Sequence, residues 1–466
     1  MHEMIDYPKG IDRGRHFQCE LSSEERSFKM NWREEYRSKL CSHKKAAKVV
    51  KSGDRLLNPL GLGEPTTAMM DAIADRKNEL RNVQYICALV FHPYKIFARE
   101  YMKTFDMMCG FYNQLTMWQH EEGITTFFPI QSSSVGNVSK KLQAIDPRRM
   151  VIITQVSPPD DHGYLSLGLD LFFTPDVIDQ GAVVIGEVNP NMPHTYGNSH
   201  YHVSRFEKFV EIDEPLFSPP LPEPSEVHKK IAANVVGLLK DRDCIQVGIG
   251  AVPGQISKLL ADSDLKDLGI HTEMAPQGTH LLVEKGLVTC KYKTTHPNKI
   301  ITAFTIGDKE LYDFLGNNPM VEFYCASYSN SIPLLCQEKN LVAINGSAEV
   351  DLVGTIASES FGDSMRSGTG GQLDFVIGAY WSEGGRAINI LPSTYDGGKK
   401  SRIVPYLTQG ARVTVPRHYA QYIVTEWGIA NLAPLNERER ALALIEIAHP
   451  KFREALLKAA KKRLRF

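Results

Sequence analysis

Three short apolar runs, YICALVF (85–91), MVIITQVS (150–157) and AVVIGEV (182–188), are continuous rather than alternating. A strand with one wet face alternates, whereas a continuous run of this length suits a strand buried on both faces. The chain is thereby restricted to α/β architectures in which helices cover a mainly parallel sheet. Helical patterns separate the runs. One extends from Trp32 to Val50 and another from Thr67 to Arg76, with the apolar strand Arg55-Leu56-Leu57 and the turn GLGEP (61–65) between them.

A length of 466 residues predicts two or three domains with sizeable cores. Between Asp213 and Ser225, DEPLFSPPLPEPS holds five prolines in thirteen residues, which fits neither a core helix nor a central strand. The domain boundary is placed there. The expected division is a polar extension over 1–30, a first α/β domain over 31–212, a linker over 213–225 and a second α/β domain over 226–466. The second part repeats the plan of the first: helix (227–240), KDRD, apolar strand, GIGAVP, helix, against helix, KSGD, apolar strand, GLGEP, helix. Two similar open α/β domains should pack with a cleft between them.

Composition removes several functional classes. Lys and Arg number 53 against 54 Asp and Glu, so no long-range field draws nucleic acid or an anionic membrane. No apolar run approaches the ~18 residues of a membrane helix, and the acidic start, with Glu3, Asp6, Asp12 and Glu20, does not resemble a targeting peptide. A cytoplasmic protein is expected. Eight cysteines stand singly with no CxxC pair, which predicts buried reduced thiols and no zinc site. His-Glu-x-x-His, Walker and Gly-x-Ser-x-Gly patterns are absent.

The segment Cys244–Gly278 carries the strongest chemical signal. It runs from a buried strand through Gly248, Ile249, Gly250, Ala251 and Val252 into a helix, then returns to an extended run ending at Glu273. Glycine turns after strands can present N–H groups to anions, and ligands of open α/β sheets bind at C-terminal strand ends. A carboxylate there is a candidate nucleophile toward an acyl group, given an oxyanion hole. The plain alternative is an ion-paired surface glutamate. A dinucleotide reading of the turn fails, because Pro253 stands where the third glycine of that fingerprint belongs. A second cluster, Gly368, Gly370 and Gly371 in SGTGGQLDFVIGA, allows close backbone approach to a ligand. The apolar run after it suggests a loop at a sheet edge; the alternative is a flexible loop. Arg402 in SRIVP reads as an exposed salt-bridge residue or a phosphate contact, and His162 in SPPDDHG as a turn residue.

Taken together, VSPPDDHGY (156–164), NPNMPHTYG (189–197), GIGAVP (248–253), GIHTEM (269–274), AINGSAEVDLVG (343–354), SGTGGQLDF (367–375) and VTEWGIANL (424–432) resemble the acetyl-CoA hydrolase/transferase family. Within it the pattern is similar to the 4-hydroxybutyrate and butyrate CoA-transferases, over about residues 31–466. The resemblance implies two similar open α/β domains and a ping-pong reaction in which Glu273 becomes a glutamyl-CoA thioester. It implies that residues 248–252 line the coenzyme A site and help hold the oxyanion, with Gly368, Gly370 and Gly371 closing the opposite side. Coenzyme A and acyl-CoA would be substrates, with no tightly bound cofactor or metal, and the protein a homodimer or larger homo-oligomer. An acyl-CoA hydrolase using the same glutamate and a non-catalytic CoA-binding protein are the alternatives. Three segments depart from the family pattern: Ala275-Pro276-Gln277 after the Glu-Met pair, Gly354-Thr355, and MCGFYNQLTMWQHEEG (108–123). The first is the expected seat of substrate choice.

Overall fold

The structure is a computed structural model that describes residues 31–219, 224–248 and 251–466; for Ala251 and Pro253 it describes the backbone alone. The extension 1–30 and the turn residues Ile249 and Gly250 lie outside the described residues.

Each predicted apolar run forms a strand. Arg55–Leu57, Val83–Cys87, Phe105–Cys109, Thr126–Phe127, Met150–Val156, Val183–Val188 and Phe206–Glu211 make a seven-stranded sheet. All of its pairings are parallel, with Arg55–Leu57 between Met150–Val156 and Val83–Cys87. All seven residues of Met150–Val156 are buried, as a strand covered on both faces requires. The second sheet has six strands, in the order Gly269–Ile270, Cys244–Val247, Leu341–Gly346, Arg386–Ile390, Tyr422–Thr425, Gly428–Asn431. It is parallel except for its terminal hairpin at Thr425–Gly428. In both sheets the strand before the glycine turn pairs with the next sheet strand on one side and a later strand on the other, which is the shared plan the sequence suggested. The described part of 213–225 before the helix Glu226–Val236 has neither helix nor strand.

The two sheets share one core between them, and each has a further apolar cluster of its own, with Leu56, Tyr85 and Ile153 in the first and Ala343, Phe375 and Ile423 in the second. One apolar cluster includes Leu57, Ile152 and Val184 of the first sheet, Ile231 and Val235 of the helix Glu226–Val236, and Ile245, Val342, Ile388 and Val424 of the second.

Three local expectations are corrected. The helical pattern from Trp32 to Val50 forms two helices, Trp32–Lys39 and His43–Ala47. Between them Leu40 bridges to Phe209 and the Cys41 N–H donates to the Phe209 carbonyl at 2.9 Å, so the break caps the open edge of the first sheet. The LDFVIGA run is no sheet-edge segment but part of the helix Gln372–Trp381. Arg402 is no exposed ion pair: it is half-buried, its guanidinium lies over the Phe361 and Tyr395 rings, and Nη1 donates to the Ala348 carbonyl at 2.9 Å. The seven cysteines among the described residues are all unpaired thiols.

Candidate active site

Glu273 sits where the chain changes partners. Gly269–Ile270 pairs with Cys244–Val247 in the second sheet, and four residues later Met274–Ala275 pairs with Phe304–Thr305. The Glu273 carbonyl accepts from the N–H groups of Ala303 at 2.8 Å and Phe304 at 3.1 Å. The backbone is thus fixed on both sides while the side chain is left to face the interior.

Two cavities meet at this side chain. One is polar and walled by Gly248, Asn345, Gly346 and the loop 367–371; it holds about 770 Å³ of empty space, its mouth included. The other is apolar, lies in the first half against Ile86, Phe128, Val135 and Phe172, and holds about 930 Å³ on the same measure. Glu273, Phe111 and Gly370 border both.

The carboxylate is held from three directions. Asn330 Nδ2 donates to Glu273 Oε2 at 2.5 Å, and Asn330 Oδ1 is itself fixed by the Ser329 hydroxyl at 2.9 Å. Gly371 passes so close that a Cβ added there would lie 2.1 Å from Oε2. The Ser132 hydroxyl is buried without a well-formed hydrogen bond, yet lies near enough to favour the charged carboxylate. Burial is the largest influence and raises the Glu273 carboxyl from 4.5 to about 7; Ser132 and Asn330 oppose it, and the Asp374 carboxylate adds to it. Removing the Asn330 donor by Asn330→Ala should move the acidic limb of the pH–rate profile upward by about one unit. An unmoved limb would mean that Asn330 only packs.

Gly371 is also the N-cap of the helix Gln372–Trp381. The first N–H groups of a helix lack intrahelical partners and carry partial positive charge, so this helix start is the nearest source of oxyanion donors. Asp374 in its first turn locks the two halves together. It accepts from the Ser133 N–H at 3.0 Å, the Ser133 hydroxyl at 2.6 Å and the Gln131 amide. Ser132 N–H donates to the Gly370 carbonyl at 3.2 Å alongside. Burial raises the Asp374 carboxyl to about 6, against the hydrogen bonds from Ser133, Gln131 and Asn330.

The structure brings Glu273, Gly248, Gly368, Gly370 and Gly371 together and separates others from them. Val252 is part of the main apolar core and lines neither cavity. The Gly248 N–H donates to the Ile344 carbonyl at 2.9 Å within the sheet, so it is not free for an oxyanion. Ala275, Pro276 and Gln277 line neither cavity: Ala275 is buried in its strand and Gln277 donates to Asp308. Among the departing segments, 108–123 reaches the site through Gly110 and Phe111, while Gly354 lies against Leu432, Arg440 and Ala420. Sequence reasoning missed Ser132, Asn330 and Asp374. Only Asp374 left a trace, as the acid in the first turn after the glycine cluster.

The chain matches known proteins over both halves. Residues 24–219 match the acetyl-CoA hydrolase/transferase N-terminal domain and residues 307–460 its C-terminal domain. The chain belongs to the acetyl-CoA hydrolase/transferase family. Glu273 falls between the two matched regions. The 4-hydroxybutyrate coenzyme A transferase of Clostridium kluyveri is 39% identical over 93% of this chain and 100% of that protein. The structure of RipA from Yersinia pestis superposes with a TM-score of 0.85 at 32% identity, covering 93% of this chain and 99% of that one. An acetyl-CoA hydrolase of the family, from Yarrowia lipolytica, is more distant, at 24% identity over 68% of this chain and 66% of that protein. With several CoA-transferases at 36–39% identity, this family member is a CoA-transferase. No helix among its described residues is long and apolar enough to cross a membrane.

Proposed function

We propose that this transferase moves CoA from an acyl-CoA, of which acetyl-CoA is the simplest, to a second carboxylic acid such as butyrate or 4-hydroxybutyrate, through a glutamyl-CoA thioester on Glu273. The observation that carries the reading is the position of one carboxylate at the meeting point of a polar glycine-walled cavity and an apolar one. The first suits the CoA arm, whose amides need polar neighbours and close backbone approach; the second suits an acyl chain.

The steps are those that the likeness to the family implies, and the placement of Glu273 supports them. Glu273 attacks the thioester carbonyl and expels CoA thiolate, giving an acyl–glutamyl anhydride. The thiolate attacks the glutamyl carbonyl and releases the first acid as carboxylate, leaving glutamyl-CoA. A second carboxylate attacks that thioester, and the returning thiolate converts the new anhydride to the product acyl-CoA and free Glu273. Each step passes through an oxyanion, for which the helix start at Gly371 is the proposed support. A carboxyl group near 7 is the stronger nucleophile when ionised, so the rate should rise with pH through about 7. The buried apolar wall and the distance of the family's hydrolase favour transfer over release by water. The division into 31–212 and 226–466 around the linker 213–225 belongs to the same proposal, since one sheet falls on each side.

Mass spectrometry of protein mixed with acetyl-CoA and no acceptor tests the mechanism. The expected result is a CoA adduct on the peptide carrying Glu273, lost on adding butyrate as butyryl-CoA forms. A fully active protein with no adduct on that peptide would sink the proposal.

A further inference from the structure

The helix Val135–Ile145 has an apolar stripe at Val135, Val138 and Leu142, the spacing of one helical face. Such a stripe ordinarily packs into a core. Here Gly136 is the only buried residue of the helix, because the stripe faces the apolar cavity instead. The opposite wall shows the same vacancy. Ile86 lies in the middle of the first sheet and is only half-buried, as are Phe128 and Ile130. Ile86 and Val135 pack in part on neighbouring apolar clusters, and the faces they turn to the cavity lack contacts that an apolar ligand would supply.

Glu273 and Arg55 are the charged residues on the cavity lining. The Arg55 guanidinium is already engaged: Nε donates to Gln84 Oε1 at 2.5 Å, Nη1 to Gln143 Oε1 at 2.8 Å and Nη2 to the Asp146 carbonyl at 3.1 Å. It is part of the wall and offers little to a second carboxylate. The side-chain hydroxyls on the lining are those of Ser132, beside Glu273, and Ser139, whose Oγ contacts the Met150 sulfur at 3.8 Å. Seven residues separate Val135 from Leu142, about 10 Å along the helix axis. The cavity is therefore deeper than an acetyl group, and a polar group carried into it would lose its water without gaining partners.

We propose that this cavity is an acyl-chain site that favours carboxylates with a plain apolar chain of medium length or a saturated ring over acetate, hydroxy acids and dicarboxylates, so that of the two acceptors named above butyrate is used faster than 4-hydroxybutyrate. The assignment rests on the glutamyl-thioester reading above and adds the class of acyl group to it. Selectivity should grow with each methylene buried, by about fourfold.

The test compares the rate constant for CoA loading of Glu273 across acetyl-, butyryl-, hexanoyl-, cyclohexanecarbonyl-, 4-hydroxybutyryl- and succinyl-CoA with the unmodified protein. Hexanoyl-CoA, with two more methylenes, should exceed butyryl-CoA about sixteenfold in kcat/KM, and cyclohexanecarbonyl-CoA should also exceed it. 4-Hydroxybutyryl- and succinyl-CoA should fall below butyryl-CoA. Val138→Trp, which fills the cavity from the helix side, should shift the hexanoyl-to-acetyl ratio at least tenfold toward acetyl. Loading at one common rate with every thioester, or fastest with acetyl, 4-hydroxybutyryl or succinyl, overturns the acyl-site assignment and leaves the glutamyl mechanism standing. No loading with any thioester overturns both. The panel needs no variant, so a Val138→Trp protein that fails to fold does not remove the test.

Discussion

Glu273→Gln is expected to lower CoA transfer by at least about 10³-fold, because the amide has no charge with which to open the thioester. The same substitution should stabilise the protein. The Glu273 carboxyl lies near 7 in the folded chain against an ordinary 4.5, so the folded state holds its proton more tightly than the unfolded state does. The stability linked to that proton is complete below about 4.5 and is lost as pH rises through 7. At pH 8 the ionised side chain therefore costs at most about 3 kcal/mol, which glutamine avoids. Thermal melts of the two proteins should differ most at pH 8 and converge below pH 4.5. An equal melting temperature at pH 8 would show that the carboxylate is well solvated. Retained transfer would remove Glu273 from the mechanism.

Gly371→Ala should cost nearly as much activity for a different reason. Gly371 has φ −94° and ψ 4°, a conformation alanine adopts without strain. Its added Cβ, however, would lie 2.1 Å from Glu273 Oε2 and 2.3 Å from Asn330 Nδ2. One of the two must move, and a displacement of about 1 Å at a reacting atom costs about 10²-fold in rate. The expected variant is folded, binds CoA and loads Glu273 at least 100-fold more slowly. Gly254→Ala is the matched control: nothing lies within 4 Å of its added Cβ, and the helix Ala251–Ala261 should gain up to about 1 kcal/mol. If Gly371→Ala behaves like that control, the close approach of the loop to Glu273 has no catalytic role.

The parts of the fold visible in the sequence were those with a local cause. Met150–Val156 and Val183–Val188 read as buried strands because a strand covered on both faces is apolar at every position. The helix Gln372–Trp381 escaped for the same reason. Its buried positions lie on one side, but the other side is apolar too, with Leu373, Ile377, Tyr380 and Trp381, so no polar face of period 3.6 marks it. Glu273 was legible because it ends an extended run after a strand, turn and helix. Ser132 and Asn330 were not: each sits among small polar residues, SSS and YSNS, that look like ordinary turns. They reach the carboxylate only through tertiary approach, 141 residues before it in the chain and 57 after it. Ala275–Gln277, the expected seat of substrate choice, line neither cavity, because the chain there pairs with Phe304–Thr305.

The apolar cluster that runs without interruption from Leu57 to Val424 has a consequence for traffic. A molecule whose halves shared no interior could part like jaws to admit an acyl-CoA. In this one, parting would wet the shared cluster on both sides, at a large cost in buried apolar surface. Acyl-CoA should therefore reach Glu273 through the mouths of the two cavities while the halves stay together. Calorimetry should accordingly show both halves melting in one transition.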